Sequence, residues 1–112
     1  MSFKTIKTDH YTLIKFSTTK LDAIVSPDLK AELVFISKQG EKNIIVDLES
    51  VKYCDSSGLS ALLIGNRICN EAKGCFVLSS VQPAVEKLII ISQLDSIFNI
   101  KTTTQEAIDS IC

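Results

Sequence analysis

The chain is poor in the residues that most enzymes and nucleotide-binding proteins depend on: one histidine, no tryptophan, two prolines and four dispersed glycines. The lone histidine, His10, falls in a predicted hairpin turn, so a serine or cysteine nucleophile has no imidazole base, and a transition-metal site lacks ligands. Gly40, Gly58, Gly65 and Gly74 are too scattered for a Rossmann or P-loop fingerprint, and no Gly-Lys-Ser/Thr triplet exists. Neither a metal nor a cofactor is expected, and no enzymatic activity.

An excess of one charge is missing too. Twelve basic and thirteen acidic residues give a formal charge of −1, and neither sign forms a block, which removes the electrostatic footprint of a nucleic-acid binder or an anionic-membrane binder. Met1 to Lys7 lack the apolar core of a signal peptide, and no apolar run approaches the roughly 20 residues of a membrane span. The expectation is a cytoplasmic protein without direct membrane insertion. Cys54, Cys69, Cys75 and Cys112 show no CxxC spacing and are expected to be free thiols.

What remains reads as one α/β domain over residues 1–112. Phe3 to Thr8 and Tyr11 to Ser17 predict a β-hairpin. Ser26-Pro27-Asp28 predicts a helix start, with Ser26 as cap and Leu29, Leu33 and Ile36 on the buried stripe. Residues 43–48 form a β-branched run typical of a strand buried on both faces, and Leu59 to Ala72 has helical spacing, with Gly74 suited to its C-terminus. A strand at 75–79 follows, then a helix opened by Gln82-Pro83, although Ile89-Ile90-Ile91 also fits a strand. Ile97 to Ile100 predicts the last strand, and Thr103-Thr104-Gln105-Glu106 a capping box before the final helix. The order ββαβαβαβα calls for a mostly parallel sheet with an antiparallel edge strand.

The most informative residues are Asp55-Ser56-Ser57-Gly58-Leu59, at the corner where the central strand region turns into a helix. The corner places two hydroxyls and a carboxylate at a helix N-terminus, where unpaired N–H groups and the helix dipole favour an anion such as phosphate. A nucleophile elbow needs glycines two residues either side of its serine, and Ser57 lacks them. As an ordinary helix start, Asp55 or Ser56 takes the first N–H groups. With Ser56 as cap and Ser57 as acceptor, Ser56→Ala costs about 1 kcal/mol and Ser57→Ala little.

The run Ile45-Val46-Asp47-Leu48 to Tyr53-Cys54-Asp55-Ser56-Ser57-Gly58-Leu59 resembles the signature of STAS domains, specifically the bacterial anti-sigma factor antagonists. Lys20-Leu21-Asp22 leading to Pro27-Asp28-Leu29 is similar to the family's loop and first helix, and Leu94-Asp95, Ile97 to Ile100 and Glu106-Ala107 to its C-terminal third. The glycine often found before the family's Leu-Asp pair is replaced here by Thr18-Thr19-Lys20. The resemblance implies a STAS-like fold, with phosphorylation at Ser57, the serine before the motif glycine, and with Asp22 and Asp55 as flanking acidic positions. It also implies two partners, an anti-sigma factor serine kinase and an opposing metal-dependent serine phosphatase. The unmodified antagonist binds the anti-sigma factor and frees a sigma factor. A second role within the same family is that of an accessory subunit of a membrane transporter or lipid-transport ABC system.

Helical spacing of 100° per residue puts Ala61, Leu62, Gly65, Ile68, Cys69 and Ala72 on one face, with Asn66, Arg67, Asn70 and Glu71 opposite. Leu59 and Leu63 fall among the polar residues, and with Asn66 they are expected to form a partner-binding ridge beside Ser57, unless the first helix or the Asp22 loop covers the leucines.

Overall fold

A computed structural model of the chain describes residues 2–111. Eleven elements follow one another among these residues: strands β1 (Phe3–Lys7), β2 (Thr12–Phe16) and β3 (Lys20–Leu21), helix α1 (Ser26–Lys38), strands β4 (Ile44–Asp47) and β5 (Tyr53–Cys54), helix α2 (Ser56–Glu71), strand β6 (Phe76–Ser79), helix α3 (Pro83–Ile91), strand β7 (Asn99–Lys101) and helix α4 (Thr104–Asp109). The main sheet has the order β1-β2-β4-β6-β7; only the β1–β2 pair is antiparallel. The α/β class, parallel sheet and antiparallel edge match the expectation. The addition is a separate two-stranded sheet, β3 with β5, too short to leave a periodic signal.

Turn chemistry sets the hairpin. The Thr8 hydroxyl accepts the N–H groups of His10 and Tyr11 at 3.3 and 3.1 Å and donates to the Tyr11 carbonyl at 2.8 Å, so the chain reverses between β1 and β2. Asn43 then fastens the strand starts together, donating to the His10 carbonyl and accepting the Cys75 N–H.

The central strands β4 and β6 are buried along their full length. Ile44 and Val46, with Phe76 and Leu78, face the main core beneath α1 and α2, whereas Ile45 and Val77 pack with Ala107 of α4 on the opposite side. Burial on both faces removes the polar alternation of a one-sided sheet, which is why Ile44 to Val46 and Phe76 to Leu78 are continuously apolar. Gly65 lets α2 approach closely, since a Cβ there would stand 2.5 Å from the Phe76 ring.

Four local expectations need correction. Ser26 does not cap α1: its hydroxyl donates to the Asp22 carbonyl at 2.6 Å, and the capping residue is Val25, without a side-chain bond. A carboxylate four residues upstream has taken over the turn, because Asp22 Oδ1 accepts the N–H groups of Ile24 and Val25. Lys73, not Gly74, carries the left-handed conformation after α2; Gly74 is needed because a Cβ would run into the Lys42 backbone. Ala72, expected on the core face of α2, is exposed at the end of that helix. The last strand begins at Asn99: Ile97 and Phe98 belong to a turn closed on the Leu94 carbonyl, from which Phe98 enters the core beside Phe76. Ile89-Ile90-Ile91 is helical, with Ile89 buried and its two neighbours exposed.

No disulfide joins Cys54, Cys69 and Cys75 to one another; Cys112 lies outside the described residues. No helix among the described residues is long and apolar enough to cross a membrane.

Candidate functional site

The corner is assembled by the small sheet. Parallel pairing of Leu21 with Cys54 makes Asp22 and Asp55 the next residues on adjacent strands, so residues 33 apart in sequence arrive side by side at one end of the fold. The Leu21 carbonyl accepts the Asp55 N–H at 3.3 Å. The Thr19 carbonyl holds both Lys52 and Tyr53, which gives the Thr18-Thr19-Lys20 segment a defined role as the lip of the site.

Asp55 is the cap of α2. Its backbone is extended, and its Oδ1 accepts the Gly58 N–H at 3.0 Å. Of the two caps left open by the sequence, the carboxylate takes the role and Ser56 is released to solvent, because extended φ and ψ at Asp55 direct its oxygen onto the third helical N–H. Gly58 is buried against the small sheet. A Cβ there would stand 2.5 Å from the Leu21 carbonyl oxygen and 2.7 Å from Cys54 Sγ, so glycine allows the helix start to sit directly on β3 and β5.

Ser56 and Ser57 occupy the first turn, where N–H groups have no intrahelical acceptor. Ser57 is half-buried, and no hydrogen bond among the described residues takes up its hydroxyl. Every fully buried side-chain oxygen or nitrogen in the described, non-exposed residues has a partner, so Ser57 Oγ is not sealed from solvent. The arrangement offers an unengaged hydroxyl at the positive end of a helix of 16 residues, flanked by two carboxylates that each serve the backbone.

No histidine accompanies that hydroxyl. His10 precedes β2, at the N-terminal end of the parallel strands, while the corner follows the C-terminal end of β4. Cys54 is no nucleophile either: burial, followed by the Asp55 charge, pushes its thiol up to about 12. Among the described residues no group of three or more His, Cys, Asp or Glu side chains is placed to hold a metal ion.

The expected ridge is half overturned. Leu59 is 5% exposed and part of the main core rather than of the outer face. Leu63 packs partly against that core and, with Asn66 and Arg67, lines a shallow surface cavity of about 480 Å³. Two exposed apolar residues that the helix projection could not show lie nearer the corner. Ile24, two residues after Asp22, is 83% exposed, and Tyr53, two before Asp55, is 52% exposed. A signal for Tyr53 existed: alternation in Tyr53-Cys54 puts one side chain out when the other is in.

The family model for the STAS domain matches residues 3–107. A Bordetella bronchiseptica protein, BtrV, described as an anti-sigma factor antagonist, is 30% identical over 79 residues, covering 70% of this chain and 68% of that protein. An anti-sigma factor antagonist STAS protein from Planctomyces limnophilus superimposes with a TM-score of 0.87 at 21% identity, over 96% of both chains. The Bacillus cell fate determinant SpoIIAA, solved in its phosphorylated form, superimposes with a TM-score of 0.75 at 26% identity, again over 96% of both chains.

Proposed function

Since this chain belongs to the STAS domain family, we propose that it is an anti-sigma factor antagonist whose binding is switched by phosphorylation of Ser57. In its unmodified form it binds an anti-sigma factor that is also a serine kinase, so that a sigma factor is freed. A metal-dependent phosphatase restores the hydroxyl.

The observation that carries this reading is the Ser57 hydroxyl, not sealed from solvent and without a partner among the described residues, at the second position of α2. Transfer of a phosphoryl group from ATP to Ser57 Oγ adds about −1.5 to −2 charges at pH 7. The helix N-terminus favours that charge by about 0.3 to 1 kcal/mol, while Asp22 and Asp55 oppose it. These effects have opposite sign, and the fold is expected to persist. A partner packed over Ile24, Tyr53 and Ser57 must instead accommodate a dianion within its contact. A hundredfold loss of affinity requires only about 2.7 kcal/mol, within what like-charge contact and desolvation impose at an interface. Occlusion suffices, without refolding.

The test is to recover partners with the wild type, Ser57→Ala and Ser57→Asp, and then to incubate each with the recovered kinase and ATP. Phosphate is expected on the wild type alone, and Ser57→Asp is expected to bind at least tenfold more weakly. Equal affinity of all three, with no phosphate at Ser57, refutes the switch.

A further inference from the structure

We propose that the free edge of the main sheet pairs two copies of this chain, β1 against β1, about a twofold axis at Thr5. The backbone pattern defines what that edge offers. Ser17 donates to the Ser2 carbonyl and Thr8 to the Tyr11 carbonyl, so even-numbered residues of β1 bond to β2. The N–H and C=O groups of Phe3, Thr5 and Lys7 therefore point outward. A five-residue strand with such an outward row is a template for another strand; the opposite edge strand, β7, is three residues long.

Both sides of the edge carry apolar surface. Phe35 of α1 is 57% exposed and borders a groove of about 790 Å³ between α1 and β1, and Ile6 is 42% exposed on the other face. Charge chooses the occupant and its register. Outward-bonding residues must face one another, which leaves three antiparallel alignments of β1 with itself. Pairing Phe3 with Thr5 sets Lys4 against Lys4 of the second copy, a like-charge contact. Pairing Thr5 with Lys7 engages only three residues of each strand. Pairing Phe3 with Lys7 engages all five, sets Lys4 against Ile6, and brings each Lys7 to the end of the groove that Phe3 shares with Asp28. Both α1 helices then lie on the same side of one continuous ten-stranded sheet. Within one copy Lys7 pairs with Glu41 at 3.5 Å, with the lysine side chain 60% exposed and the carboxylate 22%, so the lysine is the mobile member of a pair near the surface, where such contacts contribute little. The surface is self-complementary, which is what an isologous dimer requires.

Sedimentation equilibrium of the full chain between about 1 μM and about 1 mM, spanning weak to moderate self-affinity, is expected to show mass rising toward twice that of the monomer. Amide exchange at Phe3, Thr5 and Lys7 is expected to slow over the same range. Thr5→Pro removes an outward N–H that β2 does not use, so the dissociation constant is expected to rise at least tenfold, while Thr5→Val retains the dimer. Should Thr5→Pro fold poorly, charge reversal decides: Lys7→Asp weakens association and the double variant Lys7→Asp with Asp28→Lys restores it. A wild type that stays monomeric throughout, or a dimer indifferent to these substitutions, overturns the proposal; the former leaves the edge to a strand of a different protein.

Discussion

The Asp55 carboxylate accepts the backbone N–H of Gly58, and Gly58 is the position in the first turn of α2 where no side chain fits. One residue caps the helix and the other lets it sit on the small sheet. Between them, Ser56 and Ser57 are held at the helix start with no structural task of their own, and that freedom is what makes the corner suitable for covalent modification.

Removal of the cap separates these roles. Asp55→Ala is expected to lower the unfolding free energy by about 1 kcal/mol, Asp55→Asn to retain most of it, and Ser56→Ala to stay within about 0.5 kcal/mol of wild type. Urea titrations of the three variants measure this, and a larger loss for Ser56→Ala than for Asp55→Ala would return the cap to Ser56.

A methyl group at Gly58 has nowhere to go, since its nearest neighbours include the Leu21 backbone. Gly58→Ala is expected to cost about 1 to 3 kcal/mol, the range for overpacking, read as a lowered thermal midpoint. An unchanged midpoint would show that the helix start can move away from β3.

The two leucines of α2 are expected to part company. Leu59→Ala empties a core position and is expected to cost about 2 to 5 kcal/mol, whereas Leu63→Asp, at a side chain only partly packed on the core, is expected to weaken anti-sigma factor binding with a smaller drop in thermal midpoint than Leu59→Ala. Ile24→Ser is expected to weaken the same binding without affecting stability, because its side chain is surrounded by solvent. Calorimetric titration alongside thermal melts distinguishes the two kinds of effect.

Stability is expected to fall in alkali. Burial raises the Cys54 and Cys69 thiols from 9.0 to about 12, so between those values the native chain retains protons that the unfolded chain has lost. This contribution is fully present below 9.0 and disappears as pH rises toward about 12. Urea midpoints from about pH 8 to about pH 10.5 are expected to decline, and to decline less steeply for Cys54→Ala. Both thiols are expected to react with disulfide reagents only after unfolding.

Much of the fold was legible because its signals are local. Ile44 to Val46 is apolar throughout since both faces of β4 are covered, and Pro27 and Pro83 open helices because a fixed φ and a missing N–H suit the first turn. The errors arose where one residue type had two uses. Ser26 can cap a helix or donate to an upstream carbonyl, and Phe98 can extend a strand or plug the core from a turn.

The Asp-Ser-Ser-Gly run, the strand before it and the amphipathic helix after it were determined by the sequence alone, since each depends on neighbours within a few residues. What only the tertiary structure decided is which of those side chains meet water. The pairing of Leu21 with Cys54 brings Asp22 to the corner, while the packed chain buries Leu59 and leaves Ile24 and Tyr53 exposed and Ser57 half-buried. A helical projection reports the angle of a residue about its own axis, whereas burial depends on what the rest of the chain places over that angle.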